Sequence, residues 1–337
     1  MAYAPNIDGT TVRTLGEWGQ FFKDNGQPHD IIEAMDMENS ILDDIKWKEA
    51  SDSDGNRTAV RNGLPGVFWR QLYKGIPPSK STVTMVKDPV GMLEGRSMID
   101  KKLLDIHQSQ AKAYRLQEIR AFGEAMRQEL ATALFYGDIK GNPLAINGLA
   151  PRYAYSNAPH VVSAGGVGSE NTSMFGVVWG ERDVMGIFPK DSKAGMSHEA
   201  LSPYDAHDAD GHAFRAVGDL LQWNVGLAVS DWRSAVRVCN IDVNNLMKKK
   251  GETGFIDFHR LTIIAKNKLS PEKRNRLIWY CNEEVMTALE LQNSDAGYVQ
   301  LKYGDLYRST AIPFIHGAAV RQNDAILNTE AALVPLP

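Results

Sequence analysis

The chain has 337 residues, 43% of them hydrophobic and 23% charged. This balance excludes an intrinsically disordered chain, and no window approaches the roughly 20 apolar residues that cross a bilayer. Thirty-seven Lys and Arg against 41 Asp and Glu leave a formal net charge of −4, which excludes a protein built to grip nucleic acid over its whole surface.

Two cysteines, Cys239 and Cys281, are too few for a disulfide framework or a tetrahedral zinc site. The first residues carry no basic stretch followed by an apolar run. The expectation is a soluble protein without a secretory signal, made in a reducing cytoplasm.

In chain order, Glu17–Phe22 and Ile31–Ile45 read as short helices parted by Gly26-Gln27-Pro28. Ala50–Asn56 is a run of turn formers and reads as an exposed loop. Val67–Tyr73 and Ser81–Val86 are rich in β-branched and aromatic residues, and Gly75-Ile76-Pro77-Pro78 between them must turn. The expectation is a long hairpin, and a two-stranded hairpin needs another surface to lie on. No neighbouring segment offers one, so a partner is expected to cover it.

Asp105–Tyr136 gives the strongest helical pattern, with Leu116, Ile119, Met126, Leu130 and Leu134 on one face. Asp105 is the expected N-cap and Gly137 the expected stop. Residues 141–170 read as a connecting region. Met174–Trp179 and Val184–Phe188 read as strands. Leu221–Val229 alternates as a strand with one buried face, and Asp231-Trp232-Arg233 leads to another at Ala235–Ile241. Ile256–Lys268 is a helix. A second helix is predicted from Ser270 as cap and Pro271 at its first position, its apolar stripe being Leu277, Ile278, Cys281, Val285, Ala288 and Leu289. Val299–Tyr303 and Ile312–Val320 close the chain as strands. The class is α+β.

No enzyme constellation emerges. His198, Asp205, His207, Asp208, Asp210 and His212 are the right donors for zinc or iron. They sit in a stretch broken by Ser202-Pro203 and Asp210-Gly211, however, and a solvated acidic loop is the preferred reading. Asp52–Asn56 does not continue into a calcium loop, because Arg57 and Gly63 occupy the positions that need Gly and Glu. Gly165-Gly166-Val167-Gly168 lacks a flanking strand and strong helix, and no Walker lysine pattern or nucleophile elbow occurs. Lys248-Lys249-Lys250 reads as solvated charge and Cys281 as an inert core thiol. Trp69, Trp179, Trp223, Trp232 and Trp279 read as core or interface rather than base-stacking platforms. No catalytic, cofactor or metal residue is assigned.

An extended N-terminal arm, a long hairpin, one long helix and a mixed body in this order resemble the major capsid protein of tailed bacteriophages. Local phrases point toward the short-tailed branch: Gly63-Leu64-Pro65 with Trp69-Arg70, Gly148–Tyr153, Val178-Trp179-Gly180, Gly186–Lys190, Asp231-Trp232-Arg233 with Val236-Arg237, Asn240-Ile241-Asp242, Trp279–Asn282, Gly317–Arg321 and Asn328-Thr329-Glu330. Ala319 departs from the pattern, where the resemblance implies proline.

The resemblance implies an N-terminal arm (1–50), an extended loop (51–102), a spine helix and peripheral domain (103–240, partly shared with the axial domain) and an axial domain with C-terminal strands (241–337). It implies hexamers and pentamers in an icosahedral head around double-stranded DNA bound without sequence preference. The expected partners are further copies, a portal, and separate scaffolding and decoration proteins, with no membrane and no cofactor. The expected location is the virion capsid, after synthesis in the host cytoplasm. Val67, Trp69, Arg70, Tyr73, Val83 and Met85 are the expected subunit contacts. Two alternatives remain: a nanocompartment shell protein, and a metal-dependent enzyme using the His/Asp loop.

Overall fold

The computed structural model describes residues 37, 39–106, 111–208, 210–295, 301–305 and 311–336. In chain order they form α1 (Ile41–Asp44), β1 (Trp47–Glu49), β2 (Gly55–Gly63), β3 (Thr82–Asp100), α2 (Lys101–Ile106), α3 (Ala111–Tyr136), α4 (Leu149–Arg152), β4 (Val161–Ser163), β5 (Asn171–Val178), β6 (Val184–Phe188), β7 (Ser197–Ala200), β8 (Tyr204–His207), β9 (Ala213–Val229), β10 (Ala235–Asp242), α5 (Phe258–Lys268), α6 (Pro271–Arg274), β11 (Leu277–Cys281), α7 (Glu283–Asp295), β12 (Leu301–Asp305), β13 (Ala311–Ile315) and β14 (Ala318–Gln322). The class is α+β, as expected. The predicted helix at Glu17–Phe22, residues 31–36 and 38 of that at Ile31–Ile45, and Val299 and Gln300 lie outside the described residues; of the rest of Ile31–Ile45 only Ile41–Asp44 is helical. Among the described residues no helix is long and apolar enough to cross a membrane.

The chain divides into two compact units. The smaller holds Met92–Leu130 and Gly195–Asn224. There β7 and β8 run antiparallel to the first part of β9, with Ser197 opposite Gln222 and Tyr204 opposite Ala216. Ile99, Leu104, Tyr114 and Val217 form its buried cluster.

The long helix α3 starts at Ala111, not Asp105. Asp105 lies inside the separate helix α2, whose start is capped by Asp100: its carboxylate accepts the Lys102 N–H at 2.8 Å. At 1.5 Å per residue α3 is about 39 Å long. Its predicted stripe is buried at Met126, Leu130 and Leu134, whereas Leu116 is half exposed. Gly137 does end it, donating to the Ala133 carbonyl at 2.9 Å.

The larger unit holds Met37–Gly91, Ala131–Ala194 and the chain from Val225. Its main sheet has the order β12-β13-β14-β11-β5-β10-β4. β5 is buried along its whole length and β10 along all but its last residue, so these central strands are covered on both faces and read as continuous apolar runs. Phe258 and Ala265 of α5 and Val285, Ala288 and Leu289 of α7 share one cluster with Met174, Val236 and Trp279 of the sheet. A second set of strands runs β1-β6-β9-β3-β2. β1 lies parallel to β6 over Gly186, where any side chain would meet Ile45 and Trp47.

Three predicted elements are corrected here. The helix expected from Ser270 to Leu289 is α6, then strand β11, then α7. Leu277–Cys281 fits a helical stripe, but Ile278, Trp279 and Tyr280 favour a pleated surface, and the segment fills the slot between β5 and β14. Asn282 then opens α7, its side chain accepting the Val285 N–H at 3.0 Å.

The single strand expected at Ile312–Val320 is the hairpin β13–β14. It turns at His316-Gly317, both with positive φ (50° and 78°). β9 is a strand as expected but not the predicted alternation: Gln222, Trp223 and Asn224 are all half-buried, and Val225–Val229 is buried on both faces. The connecting region at 141–170 also holds α4 and β4.

Candidate assembly surface

β2 and β3 pair antiparallel from Gly55↔Pro89 to Gly63↔Thr82 and project an arm. The second predicted strand is present, since β3 begins at Thr82. The first is displaced: β2 is Gly55–Gly63, and Val67–Tyr73 belongs to an irregular connection, residues 64–81. Ala50–Asn56, expected as exposed loop, holds buried Ala50 and the start of β2 at Gly55. Pro65, Pro77 and Pro78 deny the connection ladder donors, whereas Arg57–Arg61 finds its partners across in Val83–Lys87.

Every residue from 64 to 80 is exposed. Trp69 is fully exposed, Tyr73 99% and Val67 91%. Val83 and Met85 share one face of β3 and are 51% and 61% exposed. Among the expected contacts, Val67, Trp69, Arg70 and Tyr73 therefore stand on the tip, and Val83 and Met85 on the shaft. Arg70 Nε donates to the Lys74 carbonyl at 3.1 Å, closing a local turn in which Tyr73 adopts φ +66°.

The root of the arm is fixed by charge. Arg57 pairs with Asp52 at 2.7 Å and Lys87 with Asp54 at 2.5 Å. The acidic turn 52–56 thus faces both cations at the base of the arm. Beneath them Asp88 is buried, its carboxylate 2.7 Å from Arg152 Nη2 and accepting the Val229 N–H at 3.2 Å. Arg152 also donates to the carbonyls of Leu227 and Asn147. Sequence reasoning missed this clamp, because one acidic residue in a strand carries no sign of where it points.

Two phrases far apart in sequence meet in the core of the larger unit. Arg237 Nη2 lies 2.9 Å from Glu330 Oε2, both side chains buried. Arg237 also donates to Ser173 Oγ at 3.0 Å and to the Tyr153 carbonyl at 3.1 Å, and Tyr136 donates to Glu330 Oε1 at 2.5 Å. Leu333 exchanges hydrogen bonds with the Asn240 side chain, Ala332 N–H donates to the Gly168 carbonyl, and the chain end is tied down as a strap. Residues 40–44 are tied in as well. Buried Asp44 accepts from Tyr280 at 2.7 Å and pairs with Arg321 at 2.5 Å, and Ser40 Oγ donates to the Gln322 carbonyl.

The predicted His/Asp cluster is dispersed. His198 faces Asp219 at 2.9 Å, which also takes Arg115 at 2.7 Å. Asp205 pairs across strands with Arg215 at 3.0 Å. Among the described residues only Asp208, Asp210 and His212 come within reach of one ion, all three exposed on a turn. Lys248 donates to the Thr253 carbonyl at 2.7 Å. Cys281 and Cys239 are buried, and burial pushes their thiols up to about 12 and about 11. Trp179 and Trp279 are core residues, Trp232 stands edge-on to His160 at 4.8 Å, and Trp69 is open to solvent.

The geometry is thus a tied-down body from which an arm with an apolar, exposed tip projects. The chain belongs to the family described as major capsid protein GP7, whose model matches residues 23–334. It is a structural protein of the virion capsid and not an enzyme. Among solved structures, a chain of bacteriophage Epsilon15 is 28% identical, with 97% of this chain and 99% of that chain covered and a TM-score of 0.77. A chain from Microbacterium phage Oxtober96 is 10% identical over 68% of this chain and 99% of that one, with a TM-score of 0.44. One from the SrpI encapsulin complex of Synechococcus elongatus is 8% identical over 68% and 96%, with a TM-score of 0.43. A search of curated proteins finds no match.

Proposed function

We propose that the chain forms the hexamers and pentamers of an icosahedral phage head enclosing double-stranded DNA, and that residues 51–102 are its extended loop, laid across a neighbouring subunit. The arm at 1–50, the peripheral domain at 103–240 and the axial domain at 241–337 complete the division. Portal, scaffolding and decoration proteins are the further partners, and the host cytoplasm is the site of synthesis.

The observation that carries this reading is the unbroken exposure of residues 64–80, with Leu64, Val67, Phe68, Trp69, Leu72 and Tyr73 among them. Exposed apolar surface of this extent marks an interaction site. Aromatic side chains bury about 150–250 Å² each when covered. Val67, Trp69, Arg70, Tyr73, Val83 and Met85 are the contact residues.

Trp69→Ala is expected to lower particle yield at least tenfold, on the order of one central interface residue. The subunit's melting temperature should stay within about 2 °C, since surface changes are worth about ±0.5 kcal/mol. Equal loss of folding and assembly would refute the assignment. Nuclease-protected DNA in purified particles separates a phage head from an enzyme-enclosing shell.

A further inference from the structure

The arm's charge runs against that of the rest of the chain. Residues 57–87 hold six Lys and Arg and no Asp or Glu, leaving 31 Lys and Arg against 41 Asp and Glu elsewhere. At the root, Arg57 and Lys87 are neutralised by Asp52 and Asp54. Further out, Arg61, Arg70, Lys74 and Lys80 make no ion pair among the described residues. The root is therefore charge-balanced and the tip cationic, with its cations interleaved among Val67, Trp69, Leu72 and Tyr73.

We propose that this tip docks on an acidic face of a second copy of the chain. The apolar side chains supply the buried centre, and Arg61, Arg70, Lys74 and Lys80 form ion pairs around it. This rests on the reading of the arm as a subunit contact and adds the chemistry of the receiving face. Two tips cannot satisfy each other, because like charges would meet. The contact is therefore heterologous, arm of one copy on body of the next, which is the kind of contact that closes rings. Cations with aromatics also suit single-stranded nucleic acid. The aliphatic share of the tip (Leu64, Val67, Leu72, Ile76) has no use in base stacking, and the acid excess that complements the arm lies on the chain itself. A second copy is the better occupant.

Steering by such charges raises association rates and fades with salt, because the screening length falls from about 10 Å at 0.1 M to about 3 Å at 1 M. The test follows assembly of the nuclease-treated full chain by light scattering from 50 mM to 1 M NaCl, alongside R70Q/K74Q/K80Q, R70E/K74E/K80E and W69A. Circular dichroism verifies that each variant is folded.

The wild-type assembly rate is expected to fall about tenfold or more across this range. The Gln variant should start about tenfold slower at low salt and respond little to it, and the Glu variant should not assemble. W69A should be slow yet keep the wild-type salt response. If the Gln variant matches wild type while W69A is defective, the charge proposal falls and arm docking stands. If neither differs from wild type, or if wild type stays monomeric throughout, arm docking falls as well. Assembly that depends on added DNA would reassign the tip to nucleic acid.

Discussion

Asn240 shows what a single side chain does in this fold. It sits at the irregularity between Val238 and Ile241 in the pairing of β10 with β5, with φ +56°. Asn tolerates that left-handed backbone better than most residues, and its amide both donates to and accepts from Leu333. Asn240→Ala loses both bonds and keeps the strain, so urea denaturation should show about 1–3 kcal/mol of destabilisation. Asn240→Gly should cost less, because glycine adopts the angle freely.

Cys239 and Cys281 offer a second measurement. With burial holding both thiols protonated, alkylation at pH 8 should be at least about 100-fold slower in the native chain than in urea, since only the thiolate reacts. That Cys281 is a core thiol was readable from its apolar neighbours, although they form a strand and not the predicted helical stripe. That Asn240 was a bulge was not, because the signal lies in the pairing of two strands and not in the residue.

Among the elements, the C-terminal strap hangs on one buried ion pair. Glu330→Ala strands the Arg237 guanidinium and frees Ser173 and Tyr136, and removing one partner of a buried pair costs about 3–5 kcal/mol. The change should appear as a lower urea midpoint, with faster hydrogen exchange at Ala332 and Asn171.

The strands and helices best read from sequence were those whose local preference agreed with their packing. β6, β10 and α5 fell within a residue or two of expectation, and Gly137 ended α3 as predicted. Errors arose where tertiary partners decided. Leu277–Cys281 satisfied a helical period and a strand composition together, and the vacancy between β5 and β14 chose the strand. Arg57–Gly63 was missed as a strand, because its alternation sets exposed residues against only half-buried ones and so carries no strong apolar period. The tip was recognisable as lacking cover, yet its irregular path was not, since prolines rule out a ladder without specifying what replaces it.

For the molecule as a whole, acid should act through carboxylates held in ion pairs. Burial works to raise Asp183 and Asp219, but Lys273, Ser234 and Arg276 around the first, and Arg115 and His198 around the second, bring both below the ordinary value. At Asp231 burial is likewise outweighed by Arg233 and Lys273, and the value falls to about 2. A depressed carboxylate stabilises the fold above its unfolded value near 3.9, and that contribution is lost as pH falls toward the folded value. The urea midpoint should therefore change little from pH 7 to 5 through these groups and drop between about pH 4 and 2. Asp44 acts in the opposite sense, since burial raises it and protonation relieves its cost. A midpoint that declined only above pH 5 would contradict this assignment.

The clamp of Asp88 and Arg152 carries a consequence for how copies meet. Because the base of the arm is gripped inside the body and not hinged on a flexible stalk, its direction of departure is set before any neighbour arrives. Less orientational freedom is then surrendered at encounter, which strengthens association without adding a contact. On the proposed docking, the angle at which the arm meets a second copy is then set in part by a buried carboxylate–guanidinium pair within one subunit.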